Sequence, residues 1–357
     1  DFDAPEPLYQ LLVEGLPDRF PRPRVEPRRS RRRAVAVAVS VLLAVVVVAL
    51  LAAFMGGSGG GLSGVQANHV GLIDPGTNEI VDEVSVGIQP GPIAFRTGSA
   101  WVGNLADRNL TQVDARTREP ARTISLDNQT PTGIAVGGDA VWVANGLVGK
   151  LSRVDPQFGQ VTARVDLADP SGAGAVAFGD DAVWAVYGES TLARVAPISM
   201  QPTGEALAGS SPAAIVYARQ RLWVANRDEH TVSRFNPGTF QEGSLSSIPV
   251  GQGPAAIAFG ANSIWVANKD DGTVTRINRL DAQFPSTRTI EVARGPIAVA
   301  YGEGAVWVAS ESGTVSRIDP VSSKVVKEIE VGNAPSGIAF GEGLVWVTVQ
   351  ASAEPAT

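Results

Sequence analysis

Two patterns of apolar residues divide the chain. Residues 34–54 read AVAVAVSVLLAVVVVALLAAF, an apolar run whose only polar side chain is Ser40. At 1.5 Å of rise per residue, a helix of this length spans the roughly 30 Å hydrocarbon core of a bilayer. A Val-rich run makes a poor helix in water, but in lipid the backbone has no other partner for its hydrogen bonds. The second pattern fills residues 65–350, where apolar residues recur with a period of two in short segments. Ile-Ala-Phe-Gly, Val-Trp-Val-Ala-Asn and Thr-Val-Ser-Arg-Ile-Asp are typical, and all are rich in β-branched or aromatic residues. Gly, Asn, Asp-Pro and Gly-x-x-Pro steps separate them, which is turn chemistry. This pattern predicts short antiparallel strands.

The strands repeat. All seven tryptophans lie in the second region, at Trp101, Trp142, Trp184, Trp223, Trp265, Trp307 and Trp346, with spacings of 39 to 42. A fixed period near 40 marks a repeat architecture of about four strands per copy. In Ile264–Trp265–Val266 the aliphatic pair faces one side and the indole the other, so both faces of each sheet need cover. Radial repetition provides it, because each sheet lies between two neighbours. Half a copy, residues 70–87, precedes the first Trp and matches residues 314–332, while the outer half of the last copy is missing after Trp346. Two N-terminal strands are therefore expected to complete the last blade, which begins at Ser336–Val349. The expectation is an all-β, seven-bladed β-propeller preceded by a single transmembrane α-helix.

Charge sets the orientation. Eight arginines, from Arg19 to Arg33, precede the apolar run, and the first basic residue beyond it is Arg96. That asymmetry places the N-terminus in the cytoplasm and the propeller outside. A cleaved signal peptide is the competing reading, with Arg31–Arg33 imitating a twin-arginine signal, but its apolar core would be shorter. The cluster Arg28–Arg33 is the topology signal and is also suited to anionic head groups. The resulting division is a cytoplasmic stub (1–33), a span (34–54), a Gly/Ser tether (55–64), the propeller (65–350) and a tail (351–357). The chain opens on Asp1, as a processed chain or a piece of a longer one does.

The repeat unit, with WVAN at residues 142–145, 223–226 and 265–268, resembles the YVTN-type β-propeller repeat of bacterial surface and periplasmic proteins. The resemblance covers residues 65–350 and implies a fold more than an activity, since propellers host many functions. Copies depart from it at Trp184, followed by AVY, and at Ser310, which replaces the Asn. In the stub, Leu8–Tyr9–Gln10–Leu11, Leu16–Pro17 and Phe20–Pro21 resemble the segment that closes a class III adenylate or guanylate cyclase domain. No catalytic residue of such a domain lies in this chain.

Composition excludes several chemistries. There is no Cys, so disulfides and thiolate sites are impossible, and His69 and His230 are the only histidines. The net charge is −7, and eight of the 29 basic residues against six of the 36 acidic ones precede residue 65, so the propeller is acidic and unsuited to nucleic acid. No Gly-rich step opens a helix as a phosphate loop must. Asn104, Asn145, Asn226 and Asn268 end the Trp strands and are expected to bond their own turn backbones. Arg153, Arg194, Arg234, Arg276 and Arg317 recur as scaffold, with an acidic neighbour expected as partner.

A binding site must break the symmetry. The candidates are Asp107 and Arg108, Arg227–Asp228–Glu229–His230, and Lys269–Asp270–Asp271, on loops that follow the Trp strands at one end of the ring. The bland reading of these is solvated loop charge; His69 reads as structural. Carboxylates with one His could hold a cation or act as acid and base. Propeller lyases of the virginiamycin-inactivating type use His, Glu and a metal at this end, but the single His here lacks their His-Glu-His pattern. The expectation is a membrane-anchored extracytoplasmic module that binds or senses an unidentified small ligand or protein on this loop face. It carries no catalytic residue, metal or cofactor of its own, and its output would lie upstream. The alternative is an extracytoplasmic metal-dependent lyase or lactonase.

Overall fold

The computed structural model describes residues 61–146, 149–167, 173–240, 242–283 and 285–352. The chain divides after Gly59, and the unit from Gly60 onward is the one described here. The apolar run at 34–54, the arginine cluster and the cyclase-like segment lie outside the described residues. Among the described residues no helix is long and apolar enough to cross a membrane.

Seven four-stranded antiparallel sheets are present, each ordered from an inner first strand to an outer fourth. Blades 1 to 6 cover residues 90–125, 131–166, 173–207, 212–249, 254–291 and 296–330. Blade 7 pairs Ala334–Gly341 and Leu344–Gln350 with His69–Asp74 and Glu79–Ser85, so the N-terminal strands close the ring as expected. The closure reaches further upstream than the expected domain boundary. Leu62 N donates to Ile80 O at 2.8 Å and Val65 N to Val331 O at 2.8 Å. Val65 is 3% exposed and fills the space a Cβ at Gly71 would need. Residues 61–64, read as tether, are thus pinned between blades 6 and 7.

Each recurring sequence piece has a packing reason. Every Trp is at most 1% exposed. In the blades of Trp142, Trp184, Trp265, Trp307 and Trp346, its Nε1–H donates to the carbonyl of the glycine that ends the first strand. Directly opposite lies a small residue, as Ala258 lies opposite Trp265, which leaves room for the indole. The glycine of Ile-Ala-Phe-Gly also receives the aromatic ring of the next blade. A Cβ at Gly302 would stand 1.9 Å from Phe340 Cγ, and Gly137–Phe178, Gly179–Tyr217, Gly260–Tyr301 and Gly341–Phe95 repeat the arrangement. The blades therefore interlock ring into notch.

The repeated arginines do not meet the acidic neighbours expected of them. Their guanidinium carbons lie 5.0–6.0 Å from the Trp ring of the same blade. Such contacts contribute about 0.5–2 kcal/mol each. Three of the arginines also staple the next blade: Arg234 to Leu280 O, Arg276 to Pro320 O, and Arg317 to Pro75 O. Burial lowers the pKa of Arg234 and Arg276, although a guanidinium remains charged at any ordinary pH. Carbonyls suit this half-buried position, because they satisfy a cation without burying an opposite charge.

Candidate functional site

The first strands of all seven blades surround a central channel of about 870 Å³. Each contributes at least one β-branched side chain to the wall, from Ile93, Ile134 and Val176 round to Ile257 and Ile338, and small residues such as Ala175 and Ala256 fill the spaces between. Each first strand pairs only with its second strand, so its other edge is left free of a strand partner. In blade 1 that edge is bonded by blade 7 side chains, Ser336 and Gln350 donating to the Pro90 carbonyl and Thr348 to that of Gly91. The wall is apolar in its side chains and polar along its strand edges. A bulge follows the start of these strands, for example between Pro254 and Ala256, and brings one extra residue to the channel mouth.

The loops singled out by their charge lie at this mouth. The loop after each Trp strand meets the Gly-x-x-Pro loop that leads into the first strand. Leu105 N donates to Gln89 O, Arg227 N to Ser211 O, Lys269 N to Gly253 O and Glu311 N to Gly295 O, at 2.8–3.0 Å. These bonds hold the first loop residue of blades 1, 4, 5 and 6 beside the start of the channel strand. Read round the ring, that position is Leu105, Gly146, Gly188, Arg227, Lys269, Glu311 and Gln350; of these, Leu105, Glu311 and Gln350 line the channel.

The nine sequence candidates have different tasks within this geometry. Asp107 accepts from Ile88 N at 2.7 Å, Glu229 from Ser210 N at 2.9 Å and Asp271 from Gln252 N at 2.9 Å. All three occupy the third position after the Asn, and each clamps the neighbouring Gly-x-x-Pro loop. The glycine of that motif is required because the Asn amide and the carboxylate fill the space of its Cβ at Gly87, Gly209 and Gly251. These carboxylates are therefore committed to backbone donors rather than being simple solvated charge. Asp228 accepts from the Ser211 hydroxyl at 2.5 Å, and the Asp270 carboxylate lies over Gly253. Arg108 donates to Asn128 Oδ1, and His230 Nδ1 accepts from Gly253 N at 3.2 Å. Arg108 and His230 both have positive φ, at the turn position where Gly149 and Gly272 serve other blades.

Arg227 and Lys269 hold the first loop position of blades 4 and 5, on the rim outside the residues that line the channel. Lys269 Nζ meets Glu311 Oε1 at 2.7 Å across blades 5 and 6. The guanidinium of exposed Arg227 has no partner among the described residues. The candidates share one end of the ring but not one cluster, since Asp107 and Arg108 belong to blade 1 and the rest to blades 4 and 5. Glu311 and Gln350 were missed. Their signal is positional, and it is obscured because Ser310 and Val349 replace the Asn that precedes this position in blades 1, 2, 4 and 5.

The recurring Asn residues are structural, by a route different from the one expected. Asn104, Asn145, Asn226 and Asn268 donate from Nδ2 to a Thr or Ser seven residues on, at 2.8–2.9 Å, and so tie the second strand to the third. His69 Nδ1 bonds the Ala67 carbonyl at 2.9 Å and is structural as well. Among the described residues, no three side chains of His, Asp or Glu converge as metal ligands would.

No family model matches the chain, and no curated protein does. Solved structures do resemble it. A streptogramin B lyase matches with a TM-score of 0.66 and 15% identity, covering 78% of this chain and 94% of that one. The Cps50 (Swd1) β-propeller domain of Myceliophteria thermophila matches with a TM-score of 0.58 and 14% identity, covering 72% and 96%. Hydrazine synthase of Kuenenia stuttgartiensis matches with a TM-score of 0.62 and 13% identity, covering 70% and 89%. These likenesses show a propeller fold. At such identities they show no shared activity.

Proposed function

We propose that this protein is an extracytoplasmic binding module of YVTN-repeat type, anchored by residues 34–54, whose ligand docks at the channel mouth. The observation that carries this reading is the break in symmetry there. Packing positions repeat nearly the same residue in every blade, whereas the mouth position changes from Leu to Gly to Arg, Lys, Glu and Gln. Arg227 and Lys269 make contact with the ligand, and Asp107, Glu229 and Asp271 hold the loops that shape its seat. Any output passes to the cytoplasmic side, where the cyclase-like segment at residues 1–24 is the natural receiver.

The test uses the full chain in lipid nanodiscs, screened against a small-molecule library by thermal shift. Compounds that stabilise the wild type should lose their effect on the variant carrying Arg227→Glu and Lys269→Glu. Hits that stabilise this variant equally well would move the site elsewhere. The lyase reading draws on the streptogramin B lyase among the similar structures. Under that reading Mg²⁺ or Mn²⁺ should raise the melting temperature and a chelator lower it; the binding-module reading expects neither. Protease added to intact cells should remove the propeller, and its protection would reverse the orientation.

A further inference from the structure

We infer that the channel mouth accepts a short peptide of small apolar residues with both termini free, an inference that rests on the binding-module reading above. Three features of the mouth point to this class together. The first is mixed charge on consecutive blades: the Arg227 guanidinium, which has no partner among the described residues, then the Lys269–Glu311 pair. Both members of that pair are about half exposed, with 40% and 48% of their side-chain surface open. An ion pair this exposed contributes little to stability and opens readily. A ligand with one charge would face a like charge somewhere on this arc, whereas a zwitterion can satisfy both signs. Arg227 suits a carboxylate, because its planar fork matches two oxygens, and Glu311 suits an ammonium group.

The second feature is the free strand edge. Each inner strand pairs with its second strand alone, so outside blade 1, where side chains already bond the Pro90 and Gly91 carbonyls, its free edge faces the channel, and an amide backbone is the ligand chemistry that pairs with such an edge. The third is the wall, whose Ile, Val and Ala side chains take apolar groups and leave a volume of about 870 Å³, within the range of small-ligand sites. At the same position blades 2 and 3 carry Gly146 and Gly188, where blades 4 to 7 carry Arg227, Lys269, Glu311 and Gln350, so the charged and long polar side chains are gathered on one arc.

The probe is trialanine, titrated calorimetrically into the full chain in nanodiscs beside its N-acetyl form, its C-terminal amide and the doubly blocked peptide. Each single block should weaken binding about tenfold or more, as the loss of a charge-assisted hydrogen bond does. Arg227→Ala should remove the penalty for amidation and leave the penalty for acetylation. Glu311→Gln should do the reverse. Both substitutions are on exposed loop positions, so melting temperatures should match the wild type and confirm folding. Equal binding of free and doubly blocked peptides, or no binding of trialanine, would overturn the inference. If trialanine fails while library hits still depend on Arg227 and Lys269, the ligand class is wrong and the site stands. If both fail, both readings fall.

Discussion

Replacing Gly302 by Ala tests the interlocking of the blades. The added methyl would lie 1.9 Å from Phe340 Cγ and 2.3–2.4 Å from both Cδ atoms. Carbon atoms rest at about 3.5–4.0 Å, so the ring or the strand must retreat by about 1.5–2 Å. Phe340 stands on the first strand of blade 7, which the N-terminal strands hold in a closed ring. Retreat on one side therefore crowds the next interface. Overpacking costs about 1–3 kcal/mol, and the upper value applies here because the displaced group is a rigid ring. For a domain of this size, about 3 kcal/mol lowers the melting temperature by about 6–12 °C. Tryptophan fluorescence of the full chain is a clean readout, since all seven indoles are in the propeller. The companion variant Phe340→Ala removes the obstacle, so the double variant should be more stable than the sum of the two single losses by over about 1 kcal/mol. A melting point for Gly302→Ala within 2 °C of wild type, or additive losses in the double variant, would refute the ring-into-notch account.

Three further outcomes follow from the same geometry. Asp271→Ala should loosen the Gly251–Gly253 loop, visible as faster amide exchange at Gln252, while Asp271→Asn, which keeps an acceptor, should protect it partly. Deleting residues 61–65 should cost about 2–5 kcal/mol of stability through loss of buried Val65 and its backbone bonds, and an unchanged melting transition would show that the clasp is idle. Asp319 is held below the usual carboxylate range, first by the Ser322 hydroxyl and then by the N–H groups of Val321 and Ser322. A lowered folded pKa stabilises above the unfolded value of about 3.9 and is lost as pH falls through the folded value. The destabilisation of Asp319→Ala should therefore shrink as pH drops below about 4, and a pH-independent difference would deny these bonds a role.

The propeller was legible because its constraints recur. Trp265 and its six counterparts mark the second strands, and the half copy before Trp101 announces how the ring closes. Even the Ile-Ala-Phe-Gly step carried its meaning in order, though not the reason, since the ring that fills the glycine notch comes from the following blade. The candidate loops were legible by charge and were brought to one end of the ring. Their tasks were not. Asp107, Glu229 and Asp271 share one register position, yet only the approach of the Gly-x-x-Pro loop shows that each accepts a backbone N–H. Arg317 illustrates the same limit: its partner, Pro75, is more than 200 residues away and becomes a neighbour only after closure. Glu311 and Gln350 were hidden because the Asn that marks the mouth position is Ser310 in one blade and Val349 in the other.

The shared seventh blade gives the chain a timetable during synthesis. Strand His69–Asp74 leaves the ribosome about 270 residues before its partner Leu344–Gln350. At about 5–20 residues per second, the earlier strand waits roughly 15–50 s with an open edge. Blades 1 to 6 each contain all four of their strands in one stretch and can assemble as they emerge, but the nascent ring stays an open arc throughout. The finished molecule has no intermediate stage at which most of the ring is closed. Ring closure therefore waits on a single late event, the docking of the final hairpin onto the first.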